Sequence, residues 1–199
     1  QNGMRKEVVY TNKDINLGGE TGPIKYSTSE IQISKLIATT DDAASLLDLE
    51  KDKEAAVVVV HFDVENTSDD TISFYPDQSV MTTNTKEQVS ASVFLSDSVG
   101  GDFIGNVKKS GNVIFILKNS SADDLANVTI HINAPHNDSF DSVGDPVEIN
   151  IPALLLNLLY VIRSGMSTEG KRSYTILYEF VTKNFMEVNS YDVSIYDTG

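Results

Sequence analysis

The sequence predicts an all-β protein, an antiparallel β-sandwich, and three observations carry that expectation. Val57 to Val60 run into the alternating segment His61-Phe62-Asp63-Val64, the strongest β signal in the chain because β-branched residues suit a pleated, buried surface. Short alternating segments recur along the chain, separated at roughly 8 to 15 residues by turn-forming Gly, Pro, Asn, Asp and Ser. Val, Ile, Thr and Ser are abundant, tryptophan is absent, and no heptad pattern occurs.

In chain order, residues 1–19 are polar and end in Leu17-Gly18-Gly19, which reads as a flexible leader. Order is expected from Gly22-Pro23, where Ile24 and Tyr26, then Ile31, Ile33 and Ile37, alternate with polar residues across a break at Ser27 to Glu30. This is a broken or bulged strand. Thr40 is placed to cap a short helix with Asp41 and Asp42 in its first turn and Leu46, Leu47 and Leu49 as an apolar face, although a loop fits the same residues.

The valine-rich strand should bury Val58, Val60, Phe62 and Val64 on one face and carry Val57, Val59, His61, Asp63 and Glu65 on the other. Asn66 to Asp70 then turns the chain into Thr71 to Phe74, which reads as a hairpin partner. Ser79 to Thr83 and Gln88 to Leu95 are short strands, and Ser96 to Gly105 is a small, polar surface loop. Asn112 to Lys118, with Val113, Phe115 and Leu117 on one side and Ile114 and Ile116 on the other, reads as a strand buried on both faces, Asn127 to Asn133 alternates with Val128, Ile130 and Ile132 inward, and Val147, Ile149 and Ile151 complete the sandwich before Pro152.

Residues 153–199 differ in composition. Of the 29 acidic and 15 basic side chains, residues 1–152 hold 24 and 11, so the remainder is nearly neutral. Ala153 to Arg163 fits either a helix opened by Pro152 or a buried strand. Ser173 to Val181 and Met186 to Tyr196 then read as a hairpin around Thr182-Lys183-Asn184. The expected organisation is a leader over 1–19, a sandwich over 20–152 and a C-terminal extension over 153–199.

A net charge of −14 opposes nucleic-acid binding, which needs clustered Lys and Arg to replace phosphate counterions. The absence of cysteine excludes disulfides, thiolate metal sites and a cysteine nucleophile. The longest apolar run, Ala153 to Ile162, is about half of the roughly 20 residues a spanning helix needs. Because the chain opens on Gln1 and not on a methionine, it is expected to be a processed or trimmed form, with any export signal outside this sequence.

Asn16-Leu17, Gly22 to Lys25, Ile31 to Ile33, Val57 to Ser68, Thr71 to Phe74, Gly111 to Phe115 and Asn127 to Asn133 together resemble an immunoglobulin-like domain of unknown function. That domain is found on secreted lipoproteins of Gram-positive bacteria, and the resemblance covers roughly residues 14–151. It implies an immunoglobulin-like sandwich similar to a mycobacterial secreted antigen, exported to the cell surface and lipid-anchored through an upstream cysteine. It implies no catalytic residue. The insertion at Thr40 to Glu54 and the segment after Pro152 depart from the pattern.

No Gly-x-Ser-x-Gly, His-Glu-x-x-His or phosphate-loop motif occurs, so no catalytic or cofactor-binding residue is assigned and the chain is expected not to be an enzyme. His61, His131 and His136 are the only imidazoles, and His61 could meet His131 and Asp63 if their strands were adjacent. Asn137 to Asp145 could supply hard oxygen ligands to Ca²⁺ through Asp138, Asp141 and Asp145, against the plainer reading of a solvated acidic loop. Tyr174, Tyr178, Phe180, Tyr191 and Tyr196 could form an interaction surface for a protein or cell-wall component, or cover a sheet edge, or join two copies in a homodimer through the extension. The expected function is therefore a non-enzymatic extracellular or envelope binding module, with a Ca²⁺-dependent adhesion or sensing domain as the alternative and an unrecognised hydrolase as a more remote one.

Overall fold

The run of valines becomes the inner strand of the larger sheet. A computed structural model describes residues 3–152 with their side chains and, beyond them, the strand backbone of residues 160–166, 172–182 and 185–194. The strands are β1 (Met4–Asn12), β2 (Leu17–Thr21), β3 (Ile24–Ala38), β4 (Glu54–Asn66), β5 (Ile72–Phe74), β6 (Val80–Thr83), β7 (Gln88–Ser90), β8 (Gly101–Phe103), β9 (Lys108–Leu117), β10 (Val128–Ile132), β11 (Val147–Ile151), β12 (Tyr160–Met166), β13 (Arg172–Thr182) and β14 (Phe185–Ser194), with one α-helix, α1 (Asp41–Leu47). The chain divides into two units, residues 1–154 and 155–199.

In the first unit, a five-stranded antiparallel sheet runs β1-β3-β4-β9, with β2 also on β3, and a four-stranded antiparallel sheet runs β11-β10-β6-β7. A two-stranded ribbon of β5 and β8 accompanies them. One apolar core takes Ile31, Val58, Val60, Phe62 and Phe115 from the larger sheet and Met81, Ile130 and Ile149 from the smaller, so the two layers form an all-β sandwich. Burial follows the strand period: Val58, Val60, Phe62 and Val64 are enclosed while Asp63, on the opposite face of β4, is exposed.

Strand β3 shifts register between Thr28 and Glu30, the bulge that the broken alternation predicts. Thr40 caps α1 by accepting from the Ala43 amide, but the helix buries Ala43 and Ala44 while Leu46 is exposed. Its apolar face is therefore the small alanine pair, because a seven-residue helix beside β3 offers little depth for leucines.

Four further expectations are corrected. Residues 4–12 of the presumed flexible leader form β1, paired with the C-terminal half of β3. Their side chains are mostly exposed, and an edge strand whose backbone is satisfied by a neighbour needs no apolar alternation. Strand β5 is not the hairpin partner of β4: β3 and β9 already occupy both edges of β4, so the chain leaves the sheet and β5 pairs with β8.

Strand β7 ends at Ser90, short of the expected Leu95. The Ser92 and Asp97 amides instead donate to the Ile114 and Asn112 carbonyls, laying the turn along the free edge of β9. Lastly, the segment 96–105 is not simply surface loop, since Val99 and Phe103 are fully buried and β8 lies within it. Isolated apolar residues among Gly, Ser and Asp give no readable period.

In the second unit, β12, β13 and β14 form an antiparallel sheet in which Ser173↔Ser194 through Thr182↔Phe185 pair without a shift. The hairpin expected here is present. The helix considered at Ala153 lies largely outside the described residues, and Tyr160–Met166 is strand.

Candidate functional site

The link between β10 and β11 is an irregular stretch held at several points, and it is the most constructed loop of the first unit. At its root, His136 exchanges both backbone hydrogen bonds with Ser73 of β5, at 2.9 and 3.0 Å, and the Val143 amide donates to the Pro135 carbonyl at 2.9 Å. At its far end the Thr21 hydroxyl donates to the Asp145 carbonyl at 2.7 Å and accepts from the Asp145 amide at 2.8 Å. That clamp requires close backbone approach. Gly22 has φ +53°, and a Cβ there would fall 1.8 Å from the Val143 oxygen.

Between these anchors, Asn137 closes a tight turn. Its side-chain oxygen accepts from the Ser139 amide at 3.0 Å and the Asp141 amide at 2.9 Å, and the Phe140 amide donates to the Asn137 carbonyl at 2.9 Å. Phe140 is thereby held at φ +63° with its ring 83% exposed. A left-handed conformation costs a bulky residue roughly 1–2 kcal/mol, so the turn's hydrogen bonds and anchors offset strain stored at its tip. The Phe140 ring lies 5.6 Å from the His136 ring, which lies 6.0 Å from Tyr75, each pair tilted by 33°. The result is a row of three rings. Asp138 and Asp141 are exposed neighbours of Phe140 along the turn, and Ser73, whose backbone bridges to His136, donates to Asp102 at 2.6 Å.

The oxygen-ligand set expected of this loop is not assembled. Both acceptor sites of the Asn137 oxygen are used by backbone amides, and Asp145 is fixed at the Thr21 clamp, away from the turn's tip. Among the described residues, no three His, Asp or Glu side chains gather as a metal site, and Asp138, Asp141 and Asp145 stand exposed along the loop.

The histidines are also separated. His61 lies on β4 in the larger sheet and His131 on β10 in the smaller, so the expected meeting of the two does not occur. His61 has other partners on the exposed face of its sheet. Its Nε2 is 2.9 Å from the Ser110 hydroxyl and its Nδ1 is 3.0 Å from the Asn112 side-chain oxygen, and Asn112 in turn donates to Asp97 at 3.2 Å.

The Ser110 hydroxyl also lies 2.8 Å from Asp63, which can only accept. A hydroxyl has one proton, so when it donates to Asp63 it must accept from the imidazole and is no longer aimed at a base. Two open depressions flank this group, of about 330 Å³ beside Glu30, Gln32 and Asn112 and about 380 Å³ beside Tyr26, Asp63, Lys108 and Ser110. Partial burial raises the Tyr26 hydroxyl's pKa above its ordinary value.

In the second unit, Tyr174 pairs with Val193, Tyr178 with Asn189, Phe180 with Glu187, and Tyr191 with Ile176, while Tyr196 lies outside the described residues. Four of the five aromatic residues expected at an interaction surface thus occupy one strand pair.

Comparison with known proteins places this architecture. Residues 2–151 match the family described as a domain of unknown function, DUF5068. The chain belongs to that family. The DUF5068 chain is 25% identical over 151 residues to the SPbeta prophage-derived uncharacterized lipoprotein YonS of Bacillus subtilis (strain 168), covering 75% of this chain and 66% of the relative. A functionally unknown protein from Listeria monocytogenes EGD-e has the same fold, with a TM-score of 0.55 at 15% identity over 75% of this chain and 88% of that one. The yjhA protein from Bacillus subtilis aligns at 14% identity over 69% of this chain and 97% of that one, with a TM-score of 0.46. No helix among the described residues is long and apolar enough to cross a membrane.

Proposed function

We propose that this chain is a non-enzymatic binding module displayed on the outside of a Gram-positive cell, carried on a lipid anchor of the full-length protein. An immunoglobulin-like sandwich is its rigid frame, and its partner is a protein or a cell-wall component. The observation that carries the reading is the 136–145 loop, where a strained, exposed phenylalanine is held by anchors on β2, β5 and its own turn. Rigid presentation of an aromatic side chain favours binding, because less conformational freedom is lost when a partner arrives. The naming of the YonS relative as a lipoprotein supports the location. The Ser110–His61 pair fits binding better than nucleophilic catalysis, since its hydroxyl is shared with the Asp63 carboxylate on an open sheet face.

Two measurements test this. The full-length precursor, expressed in its host, should label with a radioactive fatty acid and fractionate with membranes. The chain itself should be retained by isolated envelope material. Recovery of an unlabelled precursor in the cytosol, with no retention on envelope fractions, would sink the reading.

A further inference from the structure

A binding module on the cell surface needs a ligand class, and the aromatic row of the 136–145 loop supplies one that rests on the binding role proposed above. We infer that the row Tyr75–His136–Phe140 is a sugar platform that stacks an uncharged pyranose chain. Phe140 is 83% exposed on a backbone held by the Asn137 turn, its ring 5.6 Å from that of His136, which lies 6.0 Å from that of Tyr75. A pyranose presents an apolar C–H face edged by hydroxyls. An aromatic face meets the first requirement, and polar groups at the rim meet the second.

The rim here is made of oxygen acceptors, Asp138, Asp141 and the Ser73-bound Asp102, which suit ligand hydroxyls as donors. The same carboxylates decide the charge of the occupant. Together with a net charge of −14 they repel phosphate- or carboxylate-bearing polymers, which leaves a neutral glycan as the complementary ligand. Phe94, 98% exposed in the turn Val93 to Leu95 and outside the aromatic row, serves as the internal control.

The experiment is a calorimetric and amide-NMR titration of the whole chain with two neutral tetrasaccharides, cellotetraose and tetra-N-acetylchitotetraose, and with anionic tetragalacturonate. Saturable binding is expected for at least one neutral sugar, at least tenfold weaker for tetragalacturonate and for Phe140→Ala, and unchanged for Phe94→Ala. Phe140→Gly should also lose binding at an unchanged or higher melting temperature, because glycine accepts φ +63° freely, so the loss would belong to the ring and not to a collapsed loop. No saturable binding of either neutral sugar, or equal affinity in Phe140→Ala, would overturn the assignment. Envelope material that retains wild type and Phe140→Ala equally would overturn it too, yet leave the binding-module reading standing.

Discussion

Strand β4 and the 136–145 loop solve opposite problems with the same chemistry. On β4, residues 56–65 pair with β3 on one edge and β9 on the other, and the inward side chains Val58, Val60 and Phe62 are fully enclosed, so its stability comes from area removed from water. The loop buries little and exposes its largest side chain. Its order comes from a few hydrogen bonds, two of which join Thr21 to Asp145 across 124 positions. The difference teaches that a surface built for contact needs directional restraints where the core needs only volume and period.

The largest expected effect lies on the core side. Phe62→Ala removes a fully buried ring between the sheets and should cost about 3–5 kcal/mol in denaturant unfolding. A loss under about 1 kcal/mol would mean that β4 is not the centre of the packing.

The loop side should respond less and more locally. Thr21→Val keeps the shape and removes both hydrogen bonds to the exposed Asp145 backbone, at a cost of about 1 kcal/mol. Amide exchange at Asp145 should quicken while that of the β4 amides falls only with global stability. Uniform quickening of both would break the contrast between the two regions.

The smallest effect belongs to the surface of the first unit. Lys118 hydrogen-bonds Asp48 and holds its carboxyl below the ordinary value of 3.8. A carboxylate whose pKa is depressed on folding stabilises the native state above its unfolded pKa and loses that contribution as pH falls through the folded value. Asp48→Asn should therefore lower the melting temperature slightly near neutral pH, and the difference from wild type should vanish in acid and shrink in salt. A difference that grew on acidification would reverse the assignment.

The candidate site was only partly legible. Asn137 to Asp145 stands out by composition, but its carboxylates suggest a cation, whereas in the fold the Asn137 oxygen is spent on the turn and Phe140 is the exposed feature. Nothing local marks Phe140 as exposed, since a lone phenylalanine reads as core. The Ser110–His61–Asn112 group was equally invisible, because His61 lies 49 and 51 residues from its two partners and meets them only through the pairing of β4 with β9.

What the amino-acid order determined by itself was the all-β class, the inward faces of β4, β10 and β11 and the bulge in β3, whereas β9, expected to be buried on both faces, encloses Val113, Phe115 and Leu117 and leaves Ile114 and Ile116 half-buried. Each follows from side-chain period or turn chemistry within a few residues. Tertiary structure alone decided that the polar Met4–Asn12 completes a sheet, that β5 abandons β4 for β8, and that Tyr75, His136 and Phe140 align. Those outcomes depend on which backbone edges remain free once the strongest strands have paired, and that competition joins residues too far apart for any local pattern to record.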